Sequence, residues 1–429
     1  MLFALAAALS LPGLADAAPA DVNAAEILVI HAGAVIAVPG ERQLGPSTIV
    51  VRGGRIVEIR AGYLEVRDAR SIDLKDKILL PGLIDTHVHF SFSPETKLWS
   101  AAIDTPEDVA LAAFSNAKKT LEAGFTTVRD VGSDGNSIHA LRDAVNDGLV
   151  AGPRIFLSGT SLSIVGGHGD MSGLNRKATE ALFPYDYTGA CTGAVECALR
   201  VREAAKYGAD LIKITSTGGI MSEQARGLGQ HLSDEELTSI VTTAHSLGLK
   251  VAAHAHGREG VAASVRAGVD SIEHGTYLDD ETAKLMANRG TYLVPTLGLL
   301  DFGEQQEMER FTPAVRAKIA EARRFSGQNI RLAVKHGVKI AFGTDAAVYA
   351  HGDNAKELAV YTALGMPAID AVRTATTVAA EVLGVTDRGA IEPGLLADVI
   401  AIAGNPLEDV RAYQDVRFVM VGGKVLLKK

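Results

Sequence analysis

The central part of the chain repeats one pattern: a short apolar run of strand length, then an amphipathic stretch of helix length. Eight such runs lie at 83–89, 126–131, 154–158, 211–215, 251–254, 271–274, 291–295 and 339–342. Helices are predicted between them, for example over 106–123, 234–247 and 313–335. Eight βα units in about 300 residues fit a closed barrel better than a doubly wound sheet. The sequence therefore predicts an α/β protein with a (β/α)8 TIM barrel over residues 81–389.

The two flanks of this region lack long helical patterns. Short apolar runs at 27–30, 34–37, 48–51 and 55–59 are separated by turn signals such as Pro39-Gly40 and Gly53-Gly54. The C-terminal runs at 398–402 and 416–427 have the same character. We therefore predict a small β-sandwich domain that is formed from both terminal segments, residues 26–80 and 390–429.

Composition narrows the functional classes. Hydrophobic residues make up 47% of the 429 residues, as in well-packed globular proteins. The net charge is −9, and no cluster of Lys and Arg interleaved with aromatic residues occurs, which argues against a nucleic-acid partner. No segment has the length and apolar character of a membrane span, so no membrane partner is expected.

The N-terminus resembles an export signal. An apolar run covers 2–11, Pro12-Gly13 interrupts it, and Ala15-Asp16-Ala17 fits the small residues of a cleavage site. This pattern predicts a signal peptide over 1–17 and a periplasmic or secreted protein. The segment before the run lacks Lys and Arg, so the alternative is a loosely packed N-terminal segment of a cytoplasmic protein.

Cys191 and Cys197 are the two cysteines of the chain. Thr192-Gly193 and Glu196 predict that a helix begins between them. Two cysteines six residues apart within one helix would be too distant to pair, but Cys191 is predicted just outside it. The sequence allows a disulfide and does not demand one.

Five motifs place metal-ligand side chains at or just past the C-terminal ends of predicted strands. Their candidate ligands are His87, His89, Lys213, His254, His274 and Asp345. His87 and His89 are two residues apart, so both imidazoles point to the same side of a strand. Imidazole and carboxylate groups suit zinc and related divalent metals. Because catalytic groups of barrels lie at these strand ends, the set predicts one metal site.

Lys213 is the unusual member of this set, because an ammonium group repels a metal. It can join the site if its charge is removed, for example by reaction with carbon dioxide to give a carbamate. The two oxygens of a carbamate can bridge two metals. The alternative is an ordinary ion-paired lysine, although burying that charge within an apolar strand is unfavourable.

Other positions stay open on the residues alone. Asp345 in Gly343-Thr344-Asp345 could be a helix N-cap. His254 and His256 would point the same way, so either could be the ligand. His168 lies in a glycine-rich loop and is either a substrate contact or an ordinary loop histidine.

These motifs resemble the metal-dependent amidohydrolase superfamily, and the resemblance runs through nearly all of 26–429. It rests on 81–90, which contains His87 and His89, and on Lys213, His254, His274 and Asp345 in their local contexts. Within the superfamily the chain looks most like the imidazolonepropionase-like branch. That branch includes Xaa-Pro dipeptidases, carboxypeptidase-like enzymes and ochratoxin A amidohydrolases. The sequences Gly166-Gly167-His168-Gly169-Asp170 and His351-Gly352-Asp353-Asn354 are also typical of that branch.

The resemblance implies two divalent metal ions, zinc in our prediction, bridged by carboxylated Lys213; cobalt or manganese could take the same ligands. It implies catalytic roles for Asp345 and Lys213 and favours His254 over His256 as a ligand. Asp345 would move a proton from the attacking water to the leaving nitrogen. His168 and His256 are then predicted to bind substrate.

The predicted partner is a small-molecule amide or peptide, and the resemblance also implies a homo-oligomer. We expect hydrolysis of an amide bond to a C-terminal aromatic or apolar amino acid, with ochratoxin A, cleaved to phenylalanine and ochratoxin alpha, as the leading substrate. The alternatives are an Xaa-Pro dipeptidase, a cyclic-amide hydrolase and a non-catalytic metal-binding protein. The group that binds the substrate carboxylate is left open among His168, His256, Arg258 and a backbone N–H.

Overall fold

A computed structural model describes residues 26–170, 175–184, 188–222, 227–298 and 311–429. The predicted signal peptide over 1–17 lies outside these ranges. The polar sequence of 298–312 predicts a loop over the site, and most of that loop also lies outside the described ranges.

The described residues alternate strands and helices in the centre and contain strands alone near both ends. The strands are β1 (Ile27–Val35), β2 (Ser47–Arg52), β3 (Arg55–Ala61), β4 (Arg70–Pro81), β5 (Leu83–Val88), β6 (Phe125–Asp130), β7 (Arg154–Leu157), β8 (Ser163–Ile164), β9 (Ala190–Cys191), β10 (Leu211–Thr215), β11 (Lys250–Ala255), β12 (Ser271–His274), β13 (Tyr292–Val294), β14 (Val399–Ile402), β15 (Val416–Val421) and β16 (Lys424–Lys428). The α-helices are α1 (Pro106–Glu122), α2 (Gly135–Asn146), α3 (Arg176–Leu182), α4 (Ala194–Lys206), α5 (Asp234–Ser246), α6 (Arg258–Ala267), α7 (Asp280–Arg289), α8 (Pro313–Arg323), α9 (Gln328–His336), α10 (Lys356–Ala363), α11 (Ala368–Thr374) and α12 (Thr377–Leu383). Short 3₁₀ helices cover Leu98–Ala102 and Val410–Gln414.

Two parallel sheets form the centre, β5-β6-β7 and β10-β11-β12-β13. Backbone hydrogen bonds join them on both sides. On one side, Asp210 N–H, directly before β10, donates to the β7 carbonyl of Leu157 at 2.8 Å. Leu293 N–H donates to Lys339 O at 2.9 Å, and Asp345 N–H to the β5 carbonyl of His87 at 2.8 Å. The parallel segments therefore follow one another around a ring in chain order, and the predicted α/β class is confirmed.

Most predicted strands of the ring match within one or two residues, but the eighth is irregular. Residues 339–342 are joined to β13 by a parallel bridge between Leu293 and Ile340 and are not a regular strand. The predicted helix over 313–335 is two helices, α8 and α9. Gly327 between them has φ +71°, a left-handed conformation that glycine adopts easily and that ends helical geometry.

Alternation along the ring strands decides which side chains enter the interior. In β10, Ile212 and Ile214 pack in the large apolar core with the helices. Leu211 instead packs with Ala252 of β11 in a separate small cluster. Lys213 shares the face of Leu211, because residues two apart in a strand point to the same side. The strand pattern therefore directs Lys213 into the ring.

The two terminal segments meet in one seven-stranded sheet, in the order β16-β15-β14-β4-β1-β2-β3. The predicted sandwich implies two packed sheets, whereas these strands are hydrogen-bonded in a single sheet. Register shifts interrupt four of its strand pairs, and such bulges increase the local twist and bend of a strand. The apolar side chains of one face then pack together in one core that includes strands from both ends of the chain.

The opposite face of this sheet contacts the central region. In β14, Val399 and Ala401 belong to the core of the sheet, while Ile400 and Ile402 belong to the core of the α/β region. An ion pair adds to this contact, because Arg154 of β7 donates two hydrogen bonds to Asp398 at 2.9 and 3.2 Å. The two regions are thus packed together by alternate side chains of one strand.

The structure pairs Cys191 with Cys197 in a disulfide with 5.1 Å between their Cα atoms. Cys191 ends β9 and Cys197 lies in the first turn of α4, so the cysteines flank the helix start. The bond therefore ties a short strand to the beginning of a helix. None of the helices in the described ranges is long and apolar enough to cross a bilayer.

Candidate active site

The predicted ligands converge at the C-terminal ends of the ring strands. His87 lies in β5 and His89 directly after it; Lys213, His254 and His274 lie in β10, β11 and β12. Asp345 follows the irregular eighth segment and accepts contacts from His87 Nε2 at 3.4 Å and His89 Nε2 at 3.1 Å. Strands far apart in sequence therefore bring these side chains to one place.

Potential ligand atoms form two overlapping groups, each with its atoms within 4.8 Å of one another. One group contains His254, His256 and His274, and the other contains His87, His274 and Asp345. His274 belongs to both, so the two groups are adjacent. The first group includes His256, which sequence reasoning assigned to substrate; His254 and His256 thus both remain close enough to act as ligands.

Several imidazoles are oriented by partners at Nδ1. His87 Nδ1 lies 2.7 Å from a Glu273 carboxylate oxygen, and His89 Nδ1 lies 2.5 Å from Gly132 O. An acceptor at Nδ1 fixes the tautomer and leaves Nε2 as the metal-binding nitrogen. In both residues, Nε2 is the atom that faces Asp345.

His274 reaches the site through an unusual backbone conformation. Its φ of +69° is rare for residues with side chains. Asn329 of α9 donates to the His274 carbonyl at 2.6 Å, and Thr296 Oγ1 lies 2.5 Å from His274 Nδ1. The turn interrupts strand alternation, so that Glu273 and His274 both contact groups at the site. Buried Asn329 and Thr296 hold this strained geometry in place.

Asp345 is positioned in a similar way. Its φ is +60°, and the preceding Thr344 donates to Asp85 Oδ2 at 2.7 Å. Asn354 donates to the same oxygen at 2.8 Å. Burial raises the pKa of Asp85 to about 6, although these hydrogen bonds oppose that shift. A buried network thus connects β5 to the turn that presents Asp345.

A buried carboxylate links His87 to the opposite side of the ring. Glu273 accepts a hydrogen bond from Arg129 of β6 at 2.8 Å and one from Ser271 Oγ at 2.6 Å, besides contacting His87. Burial raises the pKa of Glu273, but Arg129 and the hydrogen bond from His87 outweigh it and lower the pKa to about 2. Glu273 is therefore ionised and accepts the Nδ1 proton of His87.

Lys213 is 3% exposed and forms no ion pair in the described part of the chain. Burial lowers its pKa to about 8, against the attraction of Glu273 and Asp345. Only a neutral amine can attack carbon dioxide, so this environment favours the form that could become a carbamate. Carboxylation of Lys213 stays a prediction.

The two predicted substrate residues flank His254. The His168 ring centroid lies 4.3 Å from that of His254, and the His256 centroid lies 4.6 Å from it. His168 Nδ1 contacts Ser222 Oγ at 2.6 Å, and His256 Nδ1 contacts Thr276 Oγ1 at 2.7 Å. Burial lowers the pKa of His168 to about 4 and that of His256 to about 3. Both rings are therefore neutral near pH 7.

Arg258, the other candidate for the substrate carboxylate, is largely exposed and pairs with Asp279 at 3.1 Å. It begins α6, two residues after His256, and does not belong to the histidine cluster.

Sequence reasoning missed the residues that orient the ligands. These are Asp85, Arg129, Ser222, Glu273, Thr276, Thr296, Asn329, Thr344 and Asn354. Some stood inside recognised motifs: Glu273 directly precedes His274, and Asn354 ends the string at 351–354. Asn329 and Thr296 had no such signal, because only the fold brings them to His274.

The donor set fits divalent metal ions. It offers two neutral imidazoles, since burial lowers the pKa of both His254 and His274 well below the ordinary value, and one carboxylate, Asp345, that stays ionised. Burial also acts to lower the pKa of His89, but Asp345 outweighs it and raises that pKa, so a metal there would displace a proton. Neutral imidazole and carboxylate are the forms that bind zinc and its neighbours. Acceptors behind the rings complete the arrangement expected around such a metal.

Comparisons with known proteins show the family of the chain. A model of the amidohydrolase family matches residues 78–426. Ochratoxinase from Aspergillus niger is 30% identical over 95% of this chain and 88% of its own length. Its crystal structure superposes with a TM-score of 0.86, at 29% identity over 95% of this chain and 97% of that one.

Two other solved structures are similar over nearly the whole chain. A Xaa-Pro dipeptidase with bound methionine in its active site has a TM-score of 0.87 and 39% identity, covering 94% of this chain and all of that one. A prolidase complexed with N-methylphosphonate-L-proline has a TM-score of 0.86 and 32% identity over the same shares. The predicted resemblance is confirmed, and these relatives imply a TIM barrel with a small second domain. The chain belongs to the amidohydrolase family and is a hydrolase of amide or peptide bonds.

Proposed function

We propose that this chain hydrolyses the amide bond between an acyl group and a C-terminal aromatic or apolar amino acid, at a site that holds two divalent metal ions. The observation that carries the proposal is the pair of adjacent ligand groups sharing His274. Lys213, buried without an ion pair on the same side of the ring strands, accompanies them.

In this proposal His87, His89 and Asp345 would hold one metal, and His254 and His274 would hold the other. Carboxylated Lys213 would supply an oxygen to each. Zinc is the proposed ion, because imidazole and carboxylate donors predominate. The carbamate would also change the charge of the buried lysine from positive to negative, which suits a site between two cations.

When bound, divalent metals supply a Lewis acid for the scissile carbonyl and lower the pKa of an attacking water. The chain itself must then move a proton. Asp345 lies between His87 and His89, and its carboxylate would accept the proton of the water. It would deliver that proton to the leaving nitrogen, since an amine leaves an amide readily only when protonated.

The relatives support two candidate classes of substrate. Ochratoxinase supports an aromatic leaving amino acid, with ochratoxin A cleaved to phenylalanine and ochratoxin alpha as our first choice. The Xaa-Pro dipeptidase and the prolidase, which are 39% and 32% identical, favour Xaa-Pro dipeptides as a second candidate. In either case an amide nitrogen that belongs to an amino acid is released.

We also propose the barrel fold, the oligomeric state and the cellular location. We infer that the ring is the barrel of the relatives, that the protein is a homo-oligomer, and that it is exported to the periplasm or beyond. The disulfide supports export, because such bonds persist mainly in oxidising compartments.

The test is a substrate panel on protein stripped with a chelator and reloaded with zinc and bicarbonate. We expect no turnover without metal, and kcat/KM at least about tenfold higher for ochratoxin A and N-acyl-phenylalanine than for Xaa-Pro dipeptides. Turnover of Xaa-Pro dipeptides alone would establish the second candidate. Two bound metals with no turnover of any amide would refute both.

A further inference from the structure

Glu357 is a fully buried acidic residue that has no role in the chemistry described above. It lies in the first turn of α10, and its neighbours Ala355 and Leu358 belong to the large apolar core of the α/β region. Burying a carboxyl group is unfavourable unless hydrogen bonds replace those it makes with water. The contacts of this carboxyl group therefore indicate what it stabilises.

Glu357 contacts the backbone that follows β13. Leu297 N–H donates to Glu357 Oε1 at 2.7 Å, and both residues are buried. Because β13 ends at Val294, Leu297 has left the strand ladder and its N–H needs another acceptor. Glu357 supplies that acceptor from a helix that lies 60 residues further along the chain.

This hydrogen bond fixes the orientation of one peptide group. The N–H of Leu297 and the carbonyl of Thr296 belong to the same rigid plane. Thr296 has a φ of +46°, which is an outlier for a residue that is branched at Cβ. Such a backbone persists only where its surroundings hold it, and Glu357 holds the peptide group directly after this residue.

Thr296 in turn contacts a predicted metal ligand. Its hydroxyl oxygen lies 2.5 Å from His274 Nδ1, and His274 belongs to both groups of candidate ligand atoms. A metal at Nε2 requires the proton of the neutral ring to be on Nδ1, with an acceptor beside it. The position of the Thr296 hydroxyl therefore helps to decide which nitrogen of His274 can bind a metal.

The segment that leads into α10 supports the other side of the site. Asn354, three residues before Glu357, donates to Asp85, which also accepts from Thr344 in the turn that presents Asp345. Glu357 N–H donates to Asn354 O at 3.2 Å. The start of α10 is thus fixed relative to the ring, as it must be for Glu357 to orient a ligand.

We propose that Glu357 is a positioning residue for His274. It acts through Leu297 and Thr296: its carboxyl group holds the peptide group between them, so that the Thr296 hydroxyl accepts the Nδ1 proton of His274 and leaves Nε2 for a metal. This inference rests on the proposed function for the metal, but the position of the proton on His274 can be measured without one.

The location of this proton tests the role in protein stripped of metal with a chelator. Heteronuclear NMR of protein with isotope-labelled histidine distinguishes a proton on Nδ1 from one on Nε2, and the His274 signals are assigned by their loss in His274→Gln. We expect the proton on Nδ1 in the wild-type protein. We expect a mixture of both forms in Glu357→Leu, because leucine is of similar size but offers no acceptor.

Glu357→Gln and Glu357→Asp separate the acceptor from the charge. Glutamine keeps an oxygen at the same distance from the backbone, so Glu357→Gln should restore the wild-type pattern. Aspartate keeps the carboxyl group but is shorter by one carbon–carbon bond, about 1.5 Å, so Glu357→Asp should resemble Glu357→Leu. A role in general stability would not order the three variants in this way.

Metal affinity gives a second measurement. Titration with zinc in competition with a chromophoric chelator should show one bound ion held about tenfold more weakly in Glu357→Leu, at the lower end of the effect of residues behind metal ligands. Glu281→Leu is the matched control, because Glu281 also lies in the first turn of a helix, α7, but is exposed. It should change neither the affinity nor the proton position.

The NMR result decides the proposal. A proton on Nε2 in the wild-type protein would overturn it. So would an unchanged proton position in folded Glu357→Leu, or in Glu357→Asp if the leucine variant does not fold. Failure of the wild-type protein to bind zinc would refute the proposed function instead, and the proton position would still support or overturn the role of Glu357.

Discussion

Lys213 gives the most direct test at the scale of single residues. Lys213→Ala removes the proposed carbamate, so we expect at least about a hundredfold loss of kcat/KM and weaker binding of the second metal. Metal content and activity should be measured together. Short carboxylic acids should restore part of the activity, because they can supply the missing bridging oxygens.

The control for this variant is Lys75→Ala, which alters a lysine that is partly exposed in the terminal sheet. It should retain full activity. Wild-type activity in Lys213→Ala would rule out the bridging role.

Glu273→Gln tests the residue behind His87. One amide oxygen cannot accept from His87, Arg129 and Ser271 together, so the substitution leaves buried donors without acceptors. We expect metal affinity to fall about 10–100-fold, and the free energy of unfolding to fall by about 3–5 kcal/mol. Competition with a chromophoric chelator and thermal unfolding measure the two effects.

Glu65→Gln is a suitable comparison, because Glu65 is exposed. Surface substitutions of this kind stay within about 0.5 kcal/mol. Normal metal affinity in Glu273→Gln would mean that His87 is oriented by other contacts.

The convergence of the candidate ligands could be predicted from the sequence because each candidate lies in or just after a predicted strand of the ring. Orientation was harder to predict. The two-residue periodicity of a strand places Glu273 and His274 on opposite faces, yet the φ of +69° at His274 lets both contribute to the site. That conformation depends on Asn329 and Thr296, which are distant in sequence, so no local pattern could reveal it.

At the scale of elements, the disulfide ties β9 to the first turn of α4. The double variant Cys191→Ser/Cys197→Ser should lose about 2 kcal/mol of unfolding free energy, because a closed loop of this size restricts the unfolded chain. Scanning calorimetry should show a lower melting temperature and activity near that of the wild type.

Reductant provides the comparison for this prediction. It should lower the melting temperature of the wild-type protein towards that of the double variant and should not change the double variant. Equal melting temperatures of all four samples would show that the bond adds nothing to stability.

The elements that sequence reasoning missed have physical explanations. β4 carries Asp73, Lys75, Asp76 and Lys77 between its apolar residues, so it resembles a polar loop, although it lies inside the terminal sheet. The prediction of a single helix over 313–335 did not allow for the left-handed conformation of Gly327. The polar composition of β4 was outweighed by its pairing in the sheet. The helical pattern over 313–335 was outweighed by the backbone conformation of one residue.

At the scale of the whole molecule, Asp398 joins the terminal sheet to the ring. Asp398→Ala removes two hydrogen bonds from Arg154 and one from Gly422 N–H at 2.6 Å. Asp398 is 3% exposed while Arg154 is 29% exposed, so partial solvation limits the expected loss to about 2–3 kcal/mol. Calorimetry should show the transition at a lower temperature.

Asp415→Ala is the matched control, because Asp415 pairs with Arg417 at an exposed position. Such surface pairs contribute about 0–1 kcal/mol. Equal melting temperatures for Asp398→Ala and Asp415→Ala would contradict a coupling role for Asp398.

The order of strands in the terminal sheet has a consequence for synthesis on the ribosome. β4 lies between β1, made early, and β14, which begins at residue 399, after the ring. Until β14 emerges, one edge of β4 therefore has no strand to pair with, and open edges recruit strands of other chains. The charged residues along β4 are the kind that discourage such pairing. Nascent chains stalled before residue 399 should therefore be the species that chaperones retain longest.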